Sequence, residues 1–137
     1  MEKLLIVHTG GIGDLLLALP AMRIFRRSFP AASLDLLGYP ERLSLVSFDL
    51  DAGGIHSIDQ AGMAPFYLDG GALPRRLSDF FSTFASALLF IKKGSHTLAS
   101  NLRRSGIGRV IAIPPFPPAG MTIHAADYLV DLLEKEG

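Results

Sequence analysis

A short apolar run that passes straight into glycines, and then into a second apolar run, restricts the fold of this chain more than any other feature. The stretch is LLIVHTGGIGDLLLALP, from Leu4 to Pro20. Leu4–Val7 is apolar at every position, so it reads as a strand covered on both faces, the mark of an interior strand in a parallel sheet. The turn falls at Gly10–Gly13. A helix is expected to start at Asp14 or the residue before it and to run to about Phe29. Pro20 lies inside it and has no N–H to give, so a bend or a lost hydrogen bond is expected there. The first half of this helix is apolar all round and is expected to be buried. Arg23, Arg26 and Arg27 mark where one side meets solvent.

The rest of the chain repeats the alternation. Ser33–Leu37 reads as a strand, Glu41–Phe48 as a helix, Ile55–Ile58 as a weak strand and Gln60–Leu73 as irregular. Leu77–Phe84 reads as a helix, with Phe80, Phe81 and Phe84 at core spacing. Ala87–Ile91 follows as a strand, Thr97–Arg104 as a helix ended by Gly106, and Arg109–Ile113 as a strand. The stretch PPFPPAG, Pro114–Gly120, is a stiff loop, because proline cannot sit inside a strand. Ala125–Lys135 is the last helix, with His124 helping to start it. Alternating strands and helices define a Rossmann-like α/β fold, a parallel sheet with right-handed crossovers and helices on both sides. The 137 residues suit a single domain, residues 1–137.

Composition excludes several kinds of chemistry. With no cysteine, disulfides, thiolate zinc sites, iron–sulfur clusters and a cysteine nucleophile are ruled out, and a reducing compartment fits. The net charge of zero gives no global attraction to nucleic acid. The N-terminal apolar stretch is too short for a signal peptide, and Leu15–Met22 falls well short of the roughly 20 residues a membrane helix needs. At 49% hydrophobic residues the chain has enough apolar surface for a face that docks elsewhere. His56, His96 and His124 stand apart, and no spacing suggests a metal site.

In an open α/β sheet, ligands sit beyond the carboxyl ends of the strands, where the loop His8–Gly13 lies. Glycines permit positive φ and close backbone approach, and the following helix offers free N–H groups to a phosphate or carboxylate. The pattern G-G-x-G-D nevertheless departs from the dinucleotide fingerprint. It sets Asp14 where a pyrophosphate would lie, and no acidic residue ends the second strand, since Asp35 is inside it. A Walker loop fails because no Gly-Lys-Ser/Thr follows. Taken alone, the turn is a helix start with Asp14 as N-cap, worth about 1 kcal/mol.

Across its length the chain resembles the N-terminal domain of the bacterial heptosyltransferase family, the ADP-heptose:lipopolysaccharide glycosyltransferases. The resemblance is carried by KLLIVHTGGIGDLLLALPAMRIFRRSFPAASLDLLG, with Gly-Asp at Gly13–Asp14, the helix proline at Pro20 and Phe29–Pro30 before the second strand. The closing HAADYLVDLLEKEG, from His124 to Gly137, carries it too, whereas Pro40–Phe84 matches loosely. The resemblance implies the N-terminal, acceptor-binding half of a GT-B enzyme. A C-terminal domain, absent from these 137 residues, would bind a nucleotide sugar such as ADP-heptose. Transfer would invert the anomeric centre without metal, with Asp14 matching the family's general base and Gly10, Gly11 and Gly13 giving the acceptor room. The acceptor would be a glycolipid or saccharide of the lipopolysaccharide-core type, and the setting cytoplasmic, with a peripheral contact at the inner face of the membrane.

The chain departs from the family pattern at two places. His8 stands where Arg or Lys is usual, which weakens a cationic acceptor contact or makes it pH-dependent, and by itself His8 reads as a polar strand-end residue. Lys92 and Lys93 stand where an Asp often follows the fourth strand; they suit an acidic acceptor, or form a solvated basic turn. Arg75, Arg76, Arg103 and Arg104 read as solvated, and Arg42, just after the second strand, is the best placed arginine for an acceptor. The competing readings are a stand-alone nucleotide-binding Rossmann or flavodoxin-like domain and a non-catalytic interaction module. Lacking a donor domain, the chain alone is expected to transfer no sugar.

Overall fold

Five parallel strands form one sheet in the order β3-β2-β1-β4-β5, where β1 is Lys3–His8, β2 Ser33–Gly38, β3 Gly54–Ser57, β4 Ser86–Phe90 and β5 Arg109–Ile113. The computed structural model describes residues 2–92, 96–115 and 125–136. The helices are α1 (Ile12–Arg27), α2 (Pro40–Ser47), α3 (Arg75–Ser82), α4 (Thr97–Arg104) and α5 (Ala125–Glu136), with a 3-10 turn at Ala64–Tyr67.

The apolar run at Leu4–Val7 takes the centre. β1 pairs with β2 from Lys3↔Ser33 to His8↔Gly38, and with β4 from Leu4↔Ser86 to His8↔Phe90. Its side chains alternate between two cores. Leu4 and Ile6 pack with residues of α1, α2 and α5, while Leu5 and Val7 pack with residues of α3, α4 and the 3-10 turn. All four are buried, each contributing roughly 1.5–3 kcal/mol by leaving water. The chain runs outward through β2 and β3, then returns to set β4 on the other side of β1. The sheet's topological switch point therefore lies between β1 and β4, where such folds open a crevice beyond the strand ends.

Strand positions agree with the sequence reading to within a residue or so, and Phe81 and Phe84 are core residues as their spacing implied. The helix boundaries differ for local reasons. α1 starts at Ile12 with Gly11 as its N-cap, so Asp14 lies inside the first turn and is not the cap. It stops at Arg27, because Phe29 precedes Pro30 and is steered out of helical geometry. Pro20 is accommodated inside this helix. α3 begins directly after Pro74 and ends before Phe84. The stretch read as irregular holds the 3-10 turn, fixed by the Asn101 amide donating to the carbonyls of Phe66 (2.7 Å) and Leu68 (3.0 Å).

One larger expectation fails. The first half of α1 is not buried all round: Leu15 and Ala18 are, but Ile12 is 50% exposed, Leu16 52% and Leu17 38%. The helix lies in an outer layer, so the sheet covers its inner side and α2 and α5 contact it, while its outward side is left uncovered.

Candidate functional site

A cleft of about 690 Å³ opens at the switch point. Its walls are Thr9 and Gly10 after β1, Asp14 in the first turn of α1, Phe90, Ile91 and Lys92 at the end of β4, and Thr97 and Leu98 at the start of α4, with Tyr67 and Pro115 closing it. The N-termini of α1 and α4 thus both border the cleft, bringing partial positive charge to it. Burial raises the pKa of the Tyr67 hydroxyl, with the nearby Tyr39 and Asp59 adding to the effect.

Asp14 is half-buried on the cleft wall. Since Gly11 is the cap and no side chain caps α1, the Asp14 carboxylate is not spent on capping. It faces a space large enough for a sugar.

The glycines divide into two kinds. None of Gly10, Gly11 and Gly13 has positive φ; that conformation occurs at Gly62, Gly70 and Gly106, so the turn needs no glycine for its backbone angles. Gly10 is needed for space, because a Cβ there would lie 2.8 Å from His8 Cε1. Around Gly11 and Gly13 nothing lies within 4 Å of such an atom. Both are exposed, Gly11 as the N-cap and Gly13 within α1, and of the three only Gly10 lines the cleft.

Both polar groups of the Gly10 peptide are occupied. Its N–H donates to His8 Nδ1 (3.2 Å), and its carbonyl accepts from the Arg42 guanidinium (3.0 Å). A phosphate cradle needs free backbone N–H groups, and that of Gly10, the turn glycine on the cleft wall, is already used. This weighs against a nucleotide site at the loop.

His8 does not line the cleft. It is 2% exposed and continues the Leu4–Ile6 row, its ring 5.2 Å from that of Phe90. Burial lowers its pKa to about 4, with the charge of Asp14 pulling the other way. At neutral pH it is therefore uncharged. The cationic or pH-dependent acceptor contact read for His8 gives way to a contact with the loop.

Arg42 also stands back from the cleft. Its guanidinium lies 4.6 Å over the Tyr39 ring while holding Gly10, and it borders a separate hollow of about 380 Å³ with Tyr39, Glu41, Ser57 and Asp59. Lys92 reaches the cleft and is exposed. Lys93 and His124 lie outside the described residues.

Tyr67, Thr97, Phe90 and Pro115 were not singled out in the sequence; only the sheet order brings them beside Asp14. His56, isolated in sequence, has a partner in space. Its Nε2 is 2.7 Å from Asp35 Oδ2 on the neighbouring strand, away from the cleft-lining residues. Among the described residues, no three His, Asp or Glu side chains converge as metal ligands, and no helix is long and apolar enough to cross a membrane.

No protein-family model matches the chain, and no curated protein matches it in sequence. Its fold is similar to that of the glycosyl transferase family 9 protein from Veillonella parvula DSM 2008, with a TM-score of 0.59 and 11% identity. The match covers 99% of this chain and 42% of that one, so the chain spans less than half the length of the protein it matches. An FMN-dependent UbiX-like decarboxylase from Escherichia coli O157:H7 aligns over 99% of this chain and 94% of its own at 18% identity, but its TM-score of 0.37 carries no argument. The chain shares with part of the Veillonella protein an α/β fold, here a five-stranded parallel sheet flanked by helices.

Proposed function

We propose that this chain is the acceptor-binding half of an inverting, metal-independent glycosyltransferase of heptosyltransferase type, with Asp14 as the general base. The observation that carries the reading is an uncapped, half-buried carboxylate on the wall of the switch-point cleft. The fold likeness to a family 9 glycosyltransferase supports the class.

An acceptor hydroxyl is a weak nucleophile until its proton is being removed. In this reading the hydroxyl enters the cleft and passes its proton to the Asp14 carboxylate as its oxygen bonds to the anomeric carbon of the donor sugar. The bond from that carbon to the donor phosphate breaks, and the nucleoside diphosphate leaves with the electron pair. One carboxylate suffices on the attacking side, because the leaving diphosphate needs no protonation to depart, unlike the alcohol released by an inverting glycosidase. The donor, ADP-heptose or a related nucleotide sugar, is bound by a second domain. The acceptor is a lipopolysaccharide-core-type saccharide or glycolipid, its acidic groups met by Lys92 and the two helix N-termini. The reaction belongs at the cytoplasmic face of the membrane, which the exposed Ile12, Leu16 and Leu17 on the outward side of α1 would suit as an apolar surface.

Two measurements test this. In amide NMR titrations of the chain, a core saccharide is expected to shift Thr9–Asp14 and Lys92, while ADP, NAD and FMN leave them still; the reverse result favours a nucleotide-binding domain. In an enzyme carrying both domains, Asp14→Asn is expected to lower kcat by about 10²–10⁴-fold, the usual worth of a general base. Unchanged turnover removes Asp14 from the chemistry.

A further inference from the structure

His8 has one ring nitrogen engaged and one idle. Because the Gly10 N–H donates to Nδ1, the neutral ring carries its hydrogen on Nε2. That nitrogen is buried and has no hydrogen-bond partner of good geometry among the described residues, although the Asp14 backbone lies close enough to act on the ring. A buried, unpaired donor is costly, and natural structures rarely keep one without a use.

Asp14 borders the same side of the ring. The point where a Gly10 side chain would begin lies 2.8 Å from His8 Cε1, 3.3 Å from Asp14 Cβ and 3.5 Å from Asp14 Oδ2. The Cε1 edge of the imidazole and the carboxylate therefore border one gap, kept open because residue 10 has no side chain. Asp14 also carries the charge that acts on the ring. No hydrogen bond ties the Asp14 carboxylate to a capping duty, so it is available to turn toward either the ring or the cleft.

We propose that His8 is the positioning residue for Asp14. Its Nε2–H is a built-in donor for the Asp14 carboxylate, engaged by a turn of the aspartate side chain, and the bare Gly10 lets the two meet. A neutral donor orients a carboxylate without cancelling its charge, so the carboxylate stays able to take a proton; a cation at the same place would hold it harder and make it a weaker base. The functional meaning rests on the reading of Asp14 as the base. The contact itself is tested without turnover, so the two can fail separately.

Long-range 1H–15N correlation spectra of the chain at neutral pH should show His8 as the Nε2–H tautomer with a slowly exchanging Hε2. Asp14→Asn should move that resonance, and Lys92→Ala should leave it in place. An Nδ1–H tautomer, or His8 resonances indifferent to Asp14→Asn, overturns the proposal. The χ1 couplings of Asp14 give the second readout: one dominant rotamer in the wild type, averaging in His8→Phe, and recovery in His8→Gln, whose amide offers both an acceptor for the Gly10 N–H and a donor for Asp14. Equal averaging in the Phe and Gln variants also overturns it. If His8→Phe fails to fold, the wild-type tautomer and the Asp14→Asn spectra decide.

Discussion

Gly10 and Gly13 look alike in the sequence, yet the structure asks opposite things of them. A methyl group at Gly10 meets the buried His8 ring, so Gly10→Ala is expected to cost about 1–3 kcal/mol by overpacking. At Gly13, inside α1 with open space around it, Gly13→Ala should instead stabilise the fold by about 0.5–1 kcal/mol through helix propensity. Urea unfolding of the two variants measures both signs. His8 adds a pH dependence. Its pKa is 6.5 when unfolded and about 4 when folded, so between those values the unfolded chain holds the extra proton. Stability from the neutral buried ring is complete above 6.5 and is lost as pH falls to 4, roughly 3 kcal/mol in all. The wild type should therefore lose about that much more stability than His8→Leu over this window, as read by urea unfolding at each pH. The place of Asp14 was legible from the glycine turn and the apolar helix after it. The burial of His8 was not, since it read as a polar strand-end residue, and only the fold shows it continuing the buried row of Leu4 and Ile6. Nor was the Asp35–His56 pair, because the register between two parallel strands is fixed by the crossover and not by either strand's residues.

At the scale of the element, α1 carries the clearest lesson. Leucines on all sides predicted complete burial, but burial depends on how many neighbours a helix has, and an outer-layer helix keeps one side free. Leu15 and Leu16 are adjacent in sequence and opposite in environment. Leu15→Ala should cost about 2–5 kcal/mol, as large-to-small changes in cores do, whereas Leu16→Ala should stay within about 0.5 kcal/mol. Comparable losses in thermal or urea unfolding would mean that the outward side of α1 is covered in solution. The strands were easier to read, because β1 and β4 are apolar at nearly every position and short enough to be nothing else. The 3-10 turn escaped notice because its anchor, Asn101, comes from a helix far along the chain.

For the whole molecule, the alternation of elements announced a parallel sheet but not its strand order. Neighbours in the sheet are chosen by how the crossovers pack, and that choice brings the end of β4 beside the end of β1 and so builds the cleft. The same order governs how the protein is made. β1 leaves the ribosome before the other strands of this sheet, yet its central place requires β4 on its second side, and Leu4 pairs with Ser86. A fragment ending at Asp79 has β2 but lacks β4, and it should show neither cooperative unfolding nor native dispersion in NMR spectra, in contrast to the 137-residue chain. Until the later half emerges, the LLIV segment is a sticky strand edge, the kind of surface on which partly made chains aggregate. The earliest-made strand of this sheet is thus among the last to be sealed, and during translation it is the natural grip for a holding chaperone.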